Sequence, residues 1–388
     1  MRSDVKVGSC LSGGLDSSAI VCIARRLLGD DASYHTFTGH FPGTDADEAH
    51  FARIVVESEG VENHLVEPTV DRFIDELPNF MWLNELPVGG ASQFAQWCVF
   101  DLAKQHGVTV LLDGQGSDEL LGGYETYFRL YVQALAETGD LDRLSRERPE
   151  IVARYPGVLA TPAQSLKERI PYRLRHMLAR LSGAGSSILF GMRPDLAALI
   201  TEANTRERVD GFHALSSALV EDSFGRFLTT LLRYGDRNSM AHSREVRLPF
   251  CDHRIPDLAL SLPPHLLMGE AQNKRLLREA MRGVLPESIR TRWRKQGFNP
   301  PTDLWLSSPR MLTLARETFS SDSFRASPFW IAPVWERLLS RIEKGERGLG
   351  WTLWQPLMFE FWRKYFLEAL PTSAHTAEAC RMRAYSEQ

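Results

Sequence analysis

The 388-residue chain is 43% hydrophobic and 24% charged, the make-up of a globular protein large enough for more than one domain. A formal charge of −4 excludes the basic face that sequence-independent nucleic-acid binding requires. No apolar run reaches bilayer-spanning length, Met1-Arg2-Ser3-Asp4 lacks the apolar core of a signal peptide, and the five cysteines (Cys10, Cys22, Cys98, Cys251, Cys380) show no metal-ligand spacing. A cytoplasmic protein without membrane or nucleic-acid partners is expected.

The apolar run from Val5 to Leu11 reads as a buried strand. It runs into Leu11-Ser12-Gly13-Gly14-Leu15-Asp16-Ser17-Ser18, followed by a mostly apolar helix closed by Gly29. Strand, glycine turn and helix in this order aim backbone N–H groups and a helix N-terminus at a phosphate. Gly13 and Gly14 let the backbone approach closely, while Ser12, Ser17 and Ser18 add hydroxyl donors. Asp16 is the odd member, because a carboxylate repels phosphates unless a divalent cation lies between. A site for a nucleotide with Mg²⁺ accounts for all of them. The loop is not the G-x-x-x-x-G-K-[ST] P-loop, because it has no lysine.

Further along, Tyr34–Thr38 reads as a second strand, about Glu48–Glu59 as a helix and His64–Val66 as a third strand. Helices over Val70–Trp82 and Ser92–Gln105 flank a Pro-Gly loop, and Val108–Leu112 is the next strand. Strands alternating with helices predict a parallel sheet with helices on both faces, binding its ligand at the carboxyl ends of the strands. A second motif, Asp113-Gly114-Gln115-Gly116-Ser117-Asp118-Glu119-Leu120-Leu121-Gly122-Gly123-Tyr124, begins at that edge. Asp118 is thus expected to face the same cleft as Asp16, and two carboxylates from separate strand ends suit Mg²⁺. The segment 131–231 reads as variable and helical, and its basic piece Lys167–Arg175 as a solvated helix face. The C-terminal part reads as helical, with Trp330, Trp335, Trp351, Trp354 and Trp362 in its core and a frayed tail over 371–388.

The first loop resembles the SGGxDS pyrophosphate loop of the N-type ATP pyrophosphatases, which split ATP to AMP while adenylating a substrate. With the second motif, the block Leu232–Arg254, the block Lys274–Met281 and the run Trp293–Phe298, the chain is similar to the C-terminal synthetase domain of class B asparagine synthetase over most of residues 1–305. The resemblance implies an adenine nucleotide alpha hydrolase-like α/β fold followed by a mostly helical C-terminal half. It implies one synthetase domain over 1–370, in which 1–130 is the nucleotide-binding core and 232–370 completes the site. It further implies an ATP-dependent, AMP-forming carbon–nitrogen ligase that adenylates aspartate or a related acid and then transfers ammonia. Leu11, Gly39, Asp113 and Gly114 would line the adenosine pocket, and Lys295 would contact the phosphates and the intermediate.

Two departures qualify the resemblance. Asparagine synthetases carry a glutamate where this chain has Gln115, which hydrogen-bonds but cannot hold a charge. Asp113 or Glu245 is then the candidate to take over, or the substrate differs. In β-lactam synthetase the same position is a tyrosine paired with a glutamate, to which Glu245 corresponds; Gln115 disfavours ring closure by that route. The second departure is the N-terminal glutaminase domain, whose nucleophilic cysteine has no counterpart here. Cys10 reads as the end of the first strand, so the chain is expected not to hydrolyse glutamine by itself. It would use ammonia, act with a separate glutaminase subunit, or be part of a longer protein. The alternatives are a lactam-forming synthetase that uses its substrate's own amine, and an inactive nucleotide-binding partner subunit.

Overall fold

The computed structural model describes residues 2–29, 33–159, 191–196, 208–293 and 297–369. Lys295, the basic piece Lys167–Arg175 and the tail from 371 therefore lie outside the described residues. The chain divides into two compact units. The first is drawn from Met1–Pro68, Ala95–Gly183 and Ala198–Pro300, the second from Thr69–Phe94, Ala184–Ala197 and Pro301–Gln388. The units interleave along the chain.

The first unit is built on a five-stranded sheet in the order β3-β2-β1-β4-β5. Its strands are β1 (Val7–Cys10), β2 (His35–Gly39), β3 (Glu62–Val66), β4 (Val110–Leu112) and β5 (Glu245–Arg247), every pair parallel. Parallel strands need crossovers, supplied by α1 (Leu15–Leu28), α2 (Ala49–Glu59) and α4 (Ala91–Gln105). One face packs Phe37 and Leu111 against Val99, Phe100 and Ala103 of α4. On the other, Ile20, Val21, Cys22 and Ala24 of α1 join a core with Leu120 and Leu121 of α5 (Ser117–Leu121) and with Phe128 and Tyr131 of α6 (Tyr127–Glu137). Both faces of the central strands are covered, so β4 is wholly apolar and the hydroxyls of Ser9, Thr36 and Thr38 in β1 and β2 are buried and hydrogen-bonded.

The second unit is helical and aromatic. Phe73 and Phe80 of α3 (Val70–Asn84) pack edge-on to Phe94, and Phe73 also stacks on Trp305 and Trp354. The buried indoles find acceptors: Trp354 donates to the Val88 carbonyl (2.9 Å), Trp335 to the Gly191 carbonyl (3.1 Å) and Trp330 to the Glu360 carboxylate (2.9 Å). Trp351 corrects the core assignment. It stacks on Trp354 through one face only and is 51% exposed.

Candidate active site

A cleft opens at the carboxyl ends of β1, β2 and β4, where a parallel sheet places its ligands. Gly14 ends the loop after β1, and α1 begins at Leu15 with no side-chain cap among the described residues. The first-turn N–H groups of α1 thus face the cleft, as anion binding requires. Ser12 and Ser17 shape the loop itself: their hydroxyls lie 3.1 Å apart, and the Ser17 hydroxyl accepts from the Ser12 N–H (3.2 Å). Gly13 sits at φ +77° with its back to α2, where an added Cβ would strike the backbone of Phe51 and Ala52.

Of the residues expected to bind ATP, Leu11, Ser12, Gly14, Asp16, Ser17, Gly39, Asp113 and Gly114 line the cleft, as do Gln115 and Asp118. Gly13 and Ser18 do not. Ser18 lies wholly buried beneath the loop, its hydroxyl without a partner among the described residues. Glu245 is also not brought there. It stands at the opposite end of β5, level with Val110, where its side chain is 57% exposed and bonds Arg247 (2.6 Å). In a parallel strand, two residues towards the amino end is about 6.6 Å away from the ligand edge.

The centre of the cleft is a charged cluster. Lys274, 2% exposed, places its ammonium 2.6 Å from Asp16 Oδ2 and 2.8 Å from Asp118 Oδ1. The other oxygen of Asp16 accepts from the Ser117 hydroxyl (2.7 Å). Burial pulls the Lys274 pKa down, but Asp118 and Asp16 outweigh it and hold the ammonium above the ordinary lysine value. Lys274 itself adopts the left-handed region (φ 48°, ψ 38°), a costly conformation outside glycine. Its turn is pinned from both sides. The Asn273 amide donates to the Gly123 carbonyl (2.7 Å), while buried Arg278 donates to the Asn273 carbonyl and side-chain oxygen, both at 2.8 Å. A Cβ on Gly123 would penetrate both Asp118 and Lys274, so only glycine leaves room for the cluster.

Two further carboxyls face the cleft. Burial raises Asp113, against hydrogen bonds from the Gly114 N–H (2.7 Å) and the Gln96 amide (3.3 Å). Glu119, 1% exposed, is likewise raised by burial, and the Tyr124 hydroxyl donates to it. Cys10 lines the cleft, but burial first and Asp113 second push its thiol well up, the reverse of what a nucleophilic cysteine needs. The apolar wall is Leu11, Phe37, Val99 and Phe298, and Phe298 packs against Gly39 so closely that a Cβ there would lie 2.5 Å from its ring.

The sequence reading missed Lys274, Asn273, Arg278 and Glu119 as site residues. The available signal was a matter of charge: two carboxylates and a polyphosphate converge on a loop without a lysine, and Lys274 lies in a block already matched to the family.

The family model described as asparagine synthase matches residues 1–364. Asparagine synthetase [glutamine-hydrolyzing] 1 of Bacillus subtilis is 30% identical over 328 residues, 79% of this chain and 48% of that protein. A putative asparagine synthetase [glutamine-hydrolyzing] of Mycobacterium tuberculosis is 30% identical over 377 residues, 95% of this chain and 56% of its own. The amidase chry2 of Gibberella zeae is 24% identical, over 80% of this chain and 51% of its own. The chain spans about half the length of the curated relatives it matches.

Proposed function

This chain belongs to the asparagine synthase family, and on that premise we propose that its cleft activates a carboxylic acid with ATP and passes the acyl group to ammonia. ATP would react at its α-phosphorus to give an acyl-adenylate and pyrophosphate, and ammonia would displace AMP to leave the amide. The observation that carries this reading is the Asp16–Lys274–Asp118 cluster beside the uncapped start of α1. Adenylation needs positive charge where pyrophosphate departs, and a preorganised ammonium supplies it without reorganisation.

The donor set also fits Mg²⁺. The two carboxylates already converge on one cation, the Lys274 ammonium, and each keeps acceptor capacity beyond that bond. Asp16 and Asp118 would hold the ion, which would neutralise phosphate charge. The N–H groups at the start of α1 would bind phosphate oxygens, while Leu11, Gly39, Phe298 and the Asp113-Gly114 backbone would enclose the adenosine. Gln115, at the mouth, would hydrogen-bond the acid rather than accept its proton. Lys295 keeps the phosphate-contacting role that the family resemblance gives it.

A second reading, ring closure by an amine of the substrate, loses the residue it leaned on, because Glu245 is outside the cleft. The test is release of AMP and pyrophosphate across a panel of carboxylates beginning with aspartate, supplied with ammonium, glutamine or no nitrogen source. AMP and pyrophosphate in equal amounts, with amide formed from ammonium, are expected. ADP and inorganic phosphate would overturn the reading, and turnover of an amine-bearing acid without ammonium would favour ring closure.

A further inference from the structure

The amino-terminal halves of β2 and β3 carry a second concentration of ligand-type side chains, separate from the charged cluster of the cleft. β2 and β3 pair with His35 beside Glu62 and Phe37 beside His64. Residues two apart on a strand share a face, so His35, Glu62 and His64 stand together on the side covered by α4. His35 Nδ1 lies 3.0 Å from His64 Nε2, and the Glu62 carboxylate reaches each ring nitrogen at 3.5 Å. The two imidazoles are largely enclosed, at 16% and 12% side-chain exposure, whereas Glu62 comes from the open side at 57%.

From this triangle we propose that His35, Glu62 and His64 form a binding site for a divalent transition-metal ion of the zinc type. Zn²⁺ bound tetrahedrally at about 2.0–2.1 Å sets its ligand atoms about 3.3–3.4 Å from one another. The two imidazole nitrogens stand 3.0 Å apart, and Glu62 brings Oε2 to 3.5 Å from His35 and Oε1 to 3.5 Å from His64, with one ligand atom from each residue within 4.8 Å of the others. Two imidazoles and one carboxylate are a donor set for zinc rather than for Mg²⁺ or Ca²⁺, which prefer oxygen. The rings are also held in place. His64 packs against the rings of Phe37 and His106, with centroids 5.2 and 3.6 Å away, and the Ser33 hydroxyl lies 3.4 Å from the far nitrogen of His35. Outer contacts of that kind orient metal-bound histidines. Three protein ligands leave a fourth position for water, and an ion there ties the edge strand β3 to β2.

The test uses the whole chain, stripped with a chelator and held in excess Mg²⁺ so that the cleft carboxylates do not compete. Zinc titration by calorimetry is expected to give one site per chain and to raise the melting temperature. Cobalt in place of zinc is expected to give the visible bands of a tetrahedral ion. His35→Gln, His64→Gln and Glu62→Gln should each weaken zinc binding at least about tenfold. Because Glu62 is exposed, its variant keeps the test valid should a histidine variant fail to fold. No stoichiometric zinc uptake, or uptake unchanged in Glu62→Gln, would overturn the site. Neither result depends on nucleotide turnover.

Discussion

Replacing Lys274 with methionine tests the cleft most directly, because it keeps most of the side chain's length and removes the ammonium with its charge and donors. Lys274 is 2% exposed and holds Asp16 and Asp118 at 2.6 and 2.8 Å, so its loss leaves two partly buried carboxylates facing each other. Breaking a buried pair from one side costs about 3–5 kcal/mol of stability. If the ammonium also stabilises departing pyrophosphate, AMP release falls roughly 10²- to 10³-fold as well. The two effects separate in a double variant. Asp16→Asn combined with Lys274→Met should regain much of the stability, read from the denaturant midpoint, and none of the AMP release. The pH dependence has a definite sign. A lysine whose folded pKa is raised stabilises fully below its unfolded value near about 10.4 and loses that effect only as pH climbs through the folded value. The stability gap between wild type and Lys274→Met should therefore be flat from about pH 6 to 9. AMP release by Lys274→Met within threefold of wild type would refute the argument.

Three other outcomes are expected. Asp16→Asn and Asp118→Asn should each lower pyrophosphate release by at least about a hundredfold, measured with a coupled phosphate assay at saturating Mg²⁺. Gly39→Val, which drives a side chain into Phe298, should raise the KM for ATP roughly tenfold and change kcat less. Glu119→Gln should stabilise the protein at neutral pH, because burial raises the Glu119 carboxyl and its ionised form is a burden there. Folded-state protonation exceeds that of the unfolded chain between the two pKa values, so the penalty grows as pH rises. The gain in melting temperature, of about 1–3 °C, should thus vanish below about pH 4.

The sequence disclosed elements whose signal is local and hid those whose signal is not. β1 and β4 lie in apolar runs bounded by turns, β2 shows itself by alternation, and both glycine motifs sit directly after a strand, so the cleft's position at the sheet edge was legible. β5 was not, because Glu245-Val246-Arg247 is three residues long with a charge at each end; such charges suit an edge strand but leave no apolar run to find. That gap also misplaced Glu245, since a residue's end of the sheet follows only from strand direction. Gly13 and Ser18 show a related limit. They belong to the loop by sequence, yet one backs onto α2 and the other drops into the core, and the facing of a tight turn is fixed by what packs behind it. Lys274 is 258 residues from Asp16, in a backbone conformation that its side chain does not favour, so neither periodicity nor propensity marks it.

The cluster that was hardest to foresee also explains how the cleft tolerates its own charges. Without a nucleotide, Asp16, Asp118 and Lys274 carry one negative charge in excess, and that balance repels a bare polyphosphate. Burying an unpaired carboxylate is costly, and the lysine offsets that cost for two aspartates whose side chains are only 17% and 19% exposed. On the proposed reading a Mg²⁺ ion arriving with ATP inverts the balance to one positive charge in excess, at the moment when pyrophosphate needs it. On that reading the same three side chains would hold the cleft together and set a preference for metal-bound nucleotide. The Asn273 and Arg278 bonds that lock Lys274 into its strained turn serve both roles, because an ammonium free to swing out would leave the aspartates uncompensated and the phosphates unmet.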